Sequence, residues 1–176
     1  MGEILTPRRT KVEKGYDYYL LADITVGTAT TSVDITGLNI GKGDEVVLVA
    51  DILNTSASTS LYYLYFNATT LGYYSRYLSA DSTSYPAGVN AAARMLDIAT
   101  NKNASLISKI KLTNSGYVVS QSDSAENYGS SGVLLNNFYG TTTFTATSVT
   151  QIRITGSVTN SIGIGSRFQL YKTGGA

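Results

Sequence analysis

The sequence predicts an all-β fold, an antiparallel two-sheet β-sandwich with the jelly roll as the preferred version. Three observations lead there. Apolar and polar residues alternate with the period of two that a half-buried strand requires. Ten or so such segments recur at spacings near ten residues, divided by turn clusters and without helices between them. No fixed-period repeat is present, which argues against a propeller or solenoid. An immunoglobulin-like sandwich fits less well, because it has fewer strands and its Cys and Trp markers are missing.

The first strands are "YYLLADITV" (Tyr18 to Val26), "TSVDITGL" (Thr31 to Leu38) and "EVVLVADIL" (Glu45 to Leu53), rich in β-branched and aromatic residues. In the second, Val33 and Ile35 alternate with Asp34 and Thr36, one face buried and one wet. The third is more continuously apolar, which suits a strand covered on both sides. After the tyrosine-rich stretch that follows, "GVNAAARMLDIA" (Gly88 to Ala99) reads either as a short helix or as a strand, with strand or irregular edge preferred. In "SLISKIKLT" (Ser105 to Thr113), Leu106, Ile110 and Leu112 share one face, and Ile107, Lys109 and Lys111 share the other, where the lysines blunt an outer face or edge. "GYVVSQS", "GVLLNNFYG", "TTTFTAT", "VTQIRITGSV" and "GIGSRFQLYK" complete the series. The last two turn Ile152, Ile154, Phe168 and Leu170 inward and Arg153 outward.

At 176 residues the chain supports one core: an extended N-terminal arm (1–15), a single sandwich domain (16–173) and a short C-terminal tail (174–176). It has no Cys, which excludes disulfides and thiolate metal sites. It has no His, which removes imidazole zinc sites and every Ser-His or Cys-His nucleophile. Charged residues make up 14%, against about 25% in ordinary soluble domains, and the net charge is +1. Such a balance leaves no basic footprint for direct nucleic-acid contact. No apolar run approaches the about 18 residues of a membrane span, and "MGEILTPRRTKVEKG" lacks the apolar core of a signal peptide.

Phosphate-binding loops are not matched. "GLNIGKGDE" lacks the Walker spacing and the Ser or Thr after Lys42, and "GIGSRF" lacks the third glycine of a dinucleotide fingerprint. Two carboxylate pairs, Asp44 with Glu45 and Asp123 with Glu126, are the candidates for a glycosidase. The first pair sits in a turn, and the second falls in the polar segment "SQSDSAENYGSSG", which reads as a loop, so solvated charges are the ordinary reading of both. No cofactor, metal site or catalytic residue is expected, and the sequons at Asn54, Asn67 and Asn103 are no more than chance supplies.

The tyrosines are the feature that needs explaining. Six of the chain's 14 fall between Leu61 and Ala80. Tyr63 and Tyr65 share one face of their strand while Tyr62, Leu64 and Phe66 share the other, so aromatic bulk points both ways. One face serves the core, and the surplus suits a subunit contact, where Tyr is enriched, ahead of a sugar-stacking platform. The arm, with Arg8, Arg9, Lys11 and Lys14, is expected to lie against a neighbouring subunit. Candidate contact residues are Tyr62, Tyr73, Tyr74 and Tyr77, with Arg8 and Arg9 on the arm.

The block "LYYLYFNATTLGYYSRYL" (Leu61 to Leu78), the early "YYLLADITVGTATTSVDITGLNIG" and the closing "IGSRFQLYK" resemble a pattern found in virion structural proteins of tailed phages and archaeal viruses. In that pattern Phe-Asn is often followed by Gly-Asp, where this chain has Ala68 and Thr69. The resemblance covers most of Tyr16 to Lys172. It implies a jelly-roll-type module that coats, decorates or projects from a particle, a capsid, decoration or spike component, without enzymatic activity. Its partners would be copies of itself and other virion proteins, and its location the extracellular particle, after synthesis in the host cytoplasm. The alternative expectation is a carbohydrate- or receptor-binding sandwich, with a host-surface glycan as partner and rings beside Asn or Asp around Asn67 to Arg76. A hydrolase using Asp123 or Glu126 comes third.

Overall fold

The computed structural model describes residues 9–10, 18–79, 94–127 and 133–173. Twelve strands follow one another along them: β1 (Arg9–Thr10), β2 (Tyr18–Thr25), β3 (Ser32–Gly41), β4 (Glu45–Leu53), β5 (Ser60–Phe66), β6 (Tyr73–Ser79), β7 (Arg94–Ile98), β8 (Asn103–Leu112), β9 (Val118–Asn127), β10 (Val133–Thr142), β11 (Ser148–Gly156) and β12 (Arg167–Thr173). Among the described residues there is no helix. The chain is an antiparallel two-sheet sandwich, as its alternation predicts. The larger sheet runs β1-β2-β12-β4-β8-β9-β10-β6 and the smaller β3-β11-β5-β7.

The pairing is nested. β2 lies beside β12, β3 beside β11, β4 beside β8 and β5 beside β7, so early strands meet late ones in reverse order. Chain order alternates between the sheets, from β2 to β3 to β4 to β5, and returns through β7, β8, β11 and β12. β6 and the β9–β10 hairpin extend the larger sheet beyond this set.

One apolar cluster fills the space between the sheets. It draws Val33, Ile35 and Ile40 from β3, Leu48 and Ile52 from β4, Leu64 and Phe66 from β5, Ile152 and Ile154 from β11, and Phe168 and Leu170 from β12. Burying each such side chain contributes about 1.5–3 kcal/mol, which must carry the fold in a chain without disulfides. The burial of β8 alternates without a break, with Leu106, Ile110 and Leu112 inside and Ile107, Lys109 and Lys111 outside. β8 is interior to its sheet, so its lysines decorate a face and not an edge.

Two local expectations change, and one ambiguity is resolved as preferred. "TTTFTAT" is not a separate strand: β10 continues to Thr142, after which Phe144 and Ala146 fold back against the core and Ala146 N–H bonds the Gly116 carbonyl. The supposed loop "SQSDSAEN" is the body of β9, with Ser122, Ser124 and Glu126 buried on its inward face. The hydroxyls replace apolar contacts there, since Ser122 and Ser108 share a hydrogen bond of 2.8 Å. "RMLDI" is strand β7, while residues 88–93 of that ambiguous segment lie outside the described residues, as do most of the arm and the 174–176 tail.

The loops at one end of the sandwich are laced by buried polar groups. Asn54 donates to the carbonyls of Ser58, Ile98 and Ala99 while its Oδ1 accepts from Ser56. Ser60 Oγ bonds Ser161 Oγ at 3.0 Å, and Thr55 Oγ1 donates to the Asn160 carbonyl. The Asn54, Ser56, Ser60 and Ser161 bonds satisfy groups that would otherwise be costly to bury, while Thr55 ties the loops from the exposed side.

Candidate subunit interface

Strand parity decides the fate of the tyrosines. Tyr62 shares the inward face of β5 with Leu64 and Phe66 and is 0% exposed, its hydroxyl donating to the Ser161 carbonyl at 2.9 Å. Tyr73 is 2% exposed, and its hydroxyl accepts from Phe66 N–H at 2.9 Å and donates to the Thr69 carbonyl at 2.7 Å. Burial pushes both phenols up, Tyr73 to about 12. Neither can be a subunit contact, which corrects the expectation for both: they anchor the monomer, Tyr62 to the far loop and Tyr73 to the turn between β5 and β6. Tyr73 also joins an aromatic chain, edge-on to Tyr65 at 5.3 Å and to Phe144 at 5.5 Å.

Tyr74, one residue on, points the other way and is 54% exposed. The Tyr77 side chain and Arg8 lie outside the described residues, and the Arg9 backbone runs antiparallel to Tyr19 of the same chain. Asn67, expected near a sugar site, is committed to the fold. Its Nδ2 donates to the Ser148 carbonyl and its Oδ1 accepts from Thr150 N–H.

The carboxylate pairs separate. Asp44 closes the β3–β4 turn, accepting from Gly41 N–H at 2.7 Å and pairing with Lys172 at 2.6 Å. Burial acts to raise its carboxyl, but the Lys172 ammonium and the Gly41 N–H outweigh it and hold the group below its ordinary value. Asp123 and Glu126 occupy opposite faces of β9, so they cannot flank one bond. Asp123 is exposed and accepts from Asn137, whereas Glu126 is 2% exposed and accepts from Ala99 N–H at 2.5 Å. Burial pushes the Glu126 carboxyl up, against the Ala99 N–H and Lys102, which lower it. Among the described residues, no three His, Cys, Asp or Glu gather as a metal site.

The outer face of the larger sheet is what the tyrosines and the apolar strands have in common. Register lays Val47 beside Lys109, Gln121, Tyr139 and Arg76 in one row across β4, β8, β9, β10 and β6. The next row holds Gln169, Val49, Ile107, Asp123 and Asn137. Ile107 is 51% exposed at the middle of this face, Val119, Leu135, Val133, Tyr139 and Tyr74 are exposed around it, and Val47 and Val49 are half-buried. An antiparallel sheet with one solvated face ordinarily shows polar residues there. The continuous apolar run of β4 signalled cover on both sides, and within one chain the outward side of Val47 and Val49 remains only partly covered. Val133, Leu135 and Tyr139 were missed as site residues because their strand, paired with a serine-rich neighbour, carried no clear hydrophobic period.

The opposite outer face, on the smaller sheet, is held by its own polar pairs. Arg153 makes two bonds to Asp34, at 2.6 and 2.9 Å, and Gln151 adds a third. The Arg153 guanidinium holds the Asp34 carboxyl below its ordinary value. Tyr63 and Tyr65 stack beside this cluster with centroids 6.2 Å apart. No protein-family model matches the chain, and no curated protein matches it significantly in sequence.

Proposed function

We propose that this chain is a non-enzymatic structural protein of a virus particle, a shell, decoration or spike component that assembles with copies of itself. The observation that carries the reading is the strand order. Eight strands in two facing sets of four, β2-β12-β4-β8 and β3-β11-β5-β7, with first strands paired to last, support a jelly-roll winding, an architecture of viral capsid domains. The partly apolar outer face of the larger sheet supports self-assembly, since exposed apolar residues gathered on one sheet face favour a contact surface. The chemistry is burial and hydrogen bonding, with tyrosines as anchors and Ser, Thr and Asn at the rim. Light scattering over a concentration series tests it: the expected result is a defined oligomer, followed by particles under the electron microscope. A strict monomer at high concentration would overturn the reading.

The jelly roll is also a lectin architecture, and one observation favours a glycan-binding alternative. Tyr74 and Tyr139 are diagonal neighbours on β6 and β10 beside Arg76, a pair of exposed rings next to a hydrogen-bond donor. A glycan array probed with the monomer discriminates, because a lectin binds without assembling.

A further inference from the structure

The charges on the outer face of the larger sheet are sorted by position along the strands. One half of the face bears Lys109 and Lys111 of β8, Arg76 of β6 and Glu45 of β4, three cations and one anion, a balance of +2. The other half bears Asp23 of β2, Asp51 of β4, Asp123 of β9 and Arg167 of β12, three anions and one cation, a balance of −2. Val47, Val49 and Ile107 lie where the halves meet.

We propose that this face pairs with the same face of a second copy, about a two-fold axis that lies in the face and crosses the strands near Val47, Val49 and Ile107. This deepens the assembly reading and rests on it. A two-fold contact must be self-complementary, and this one is. The rotation lays the positive half of each copy over the negative half of its mate, so Lys109 and Lys111 face the half that carries Asp51 and Asp123. The same rotation joins the two apolar centres, which gives the charges a dry neighbour and the contact a core. Any rotation that superposed like halves would set +2 against +2 and −2 against −2, and close like charges across an interface cost several kcal/mol in specificity.

The area suffices. Seven strands at about 4.8 Å spacing, each about 25–30 Å long, give a face of about 850–1,000 Å², comparable with the about 800 Å² per partner of a stable specific contact. The proposal also accounts for the composition of β4 and β8. Val47, Val49 and Ile107 would be poor choices for a permanently wet face, and the lysines and aspartates that flank them keep the free face soluble and fix the register once it pairs.

The test is a charge exchange in the whole chain, read by light scattering and sedimentation. One variant carries Lys109→Asp with Lys111→Asp, which makes the face wholly acidic apart from Arg76 and Arg167. The other carries Asp51→Lys with Asp123→Lys, which makes it largely basic. Each alone is expected to weaken self-association about 100-fold, while an equimolar mixture regains a dimer of one chain of each kind. Circular dichroism and melting of each variant check that the fold is intact, and the wild-type dimer itself should dissociate more readily from 0.05 to 0.5 M salt, by about tenfold or more in Kd. Self-association that both variants retain overturns this face as the contact and leaves the assembly reading in place. Folded variants that stay monomeric when mixed likewise overturn the charge pairing alone, whereas a monomeric wild type overturns both.

Discussion

Replacing Ala68 with Gly should stabilise the protein. Asn67 and Ala68 are the two central residues of the turn from β5 toward β6, with φ of 53° and 58°, and Thr69 N–H bonds the Phe66 carbonyl at 3.1 Å. Two successive left-handed residues make a type I′ turn, whose preferred sequence is Asn-Gly. Asn67 satisfies the first position. Ala68 carries a Cβ where it crowds the carbonyl, at a cost of about 1–2 kcal/mol. Glycine relieves that strain but loosens the unfolded chain, which offsets about 0.5–1 kcal/mol. The net gain is about 0.5–1 kcal/mol, or about 1–4 °C in Tm for a chain of this size. Calorimetry and urea titration measure it. Gly37→Ala is the matched control: its φ is +72° and an added Cβ would meet nothing within 4 Å, so only backbone strain should act, and it should lose what Ala68→Gly gains. An unchanged or lowered Tm for Ala68→Gly, with Gly37→Ala neutral, would refute the assignment of strain to these positions.

Further outcomes follow from buried groups. Tyr73→Phe removes the hydroxyl that bonds Phe66 N–H and the Thr69 carbonyl and leaves a buried N–H without that partner, so stability should fall by about 1–3 kcal/mol in urea titrations while self-association of the folded protein is unchanged. Gly156→Ala should cost about 1–3 kcal/mol, because a Cβ there collides with Ser161 Oγ and breaks the Ser60–Ser161 bond. Glu126→Gln keeps an oxygen for Ala99 N–H and removes the charge. Since the folded-state pKa of Glu126 is raised above its ordinary 4.5, the wild type loses stability as pH rises from about that value toward the raised pKa. The variant should therefore gain on the wild type across that interval, and parallel urea midpoints from pH 4 to 8 would show that the carboxyl is not so burdened. The aspartates paired with cations act oppositely: the contribution of Asp34, held below its ordinary 3.8, should fade as pH falls below that value.

Much of the fold was legible because β8 alternates without a break and β3, β11 and β12 alternate over most of their length, which only half-buried strands explain, while the phase breaks in β3 and β11 fall at their register shift. β9 was not, because its inward face is built of serines and a glutamate, and a hydropathy pattern cannot distinguish a buried hydroxyl that bonds another hydroxyl from one that bonds water. The tyrosines were half legible. Parity correctly set Tyr62 opposite Tyr63 and Tyr65, but it could not say which face met the core, and it gave no hint that Tyr73 would be drawn inward by backbone groups of a turn seven residues back. Ile107 was visible as an apolar residue among lysines. That it sits beside Val49 became visible only with the register between β4 and β8, which no local pattern encodes.

The nested pairing has a consequence for the order of events during synthesis. β12 lies between β2 and β4 and bonds to both, yet it is made more than a hundred residues after either. Until it emerges, two early strands hold open ladders with nothing between them, and the β8–β9 and β9–β10 pairs, whose strands follow one another directly in the chain, are among the closures least costly in loop entropy. Folding is therefore expected to zip from the middle of the chain outward and to finish with β12 inserting like a key. Val47 and Val49 are not set into a continuous surface before that step, so a growing chain on the ribosome carries no finished outer face until its last strand is in place.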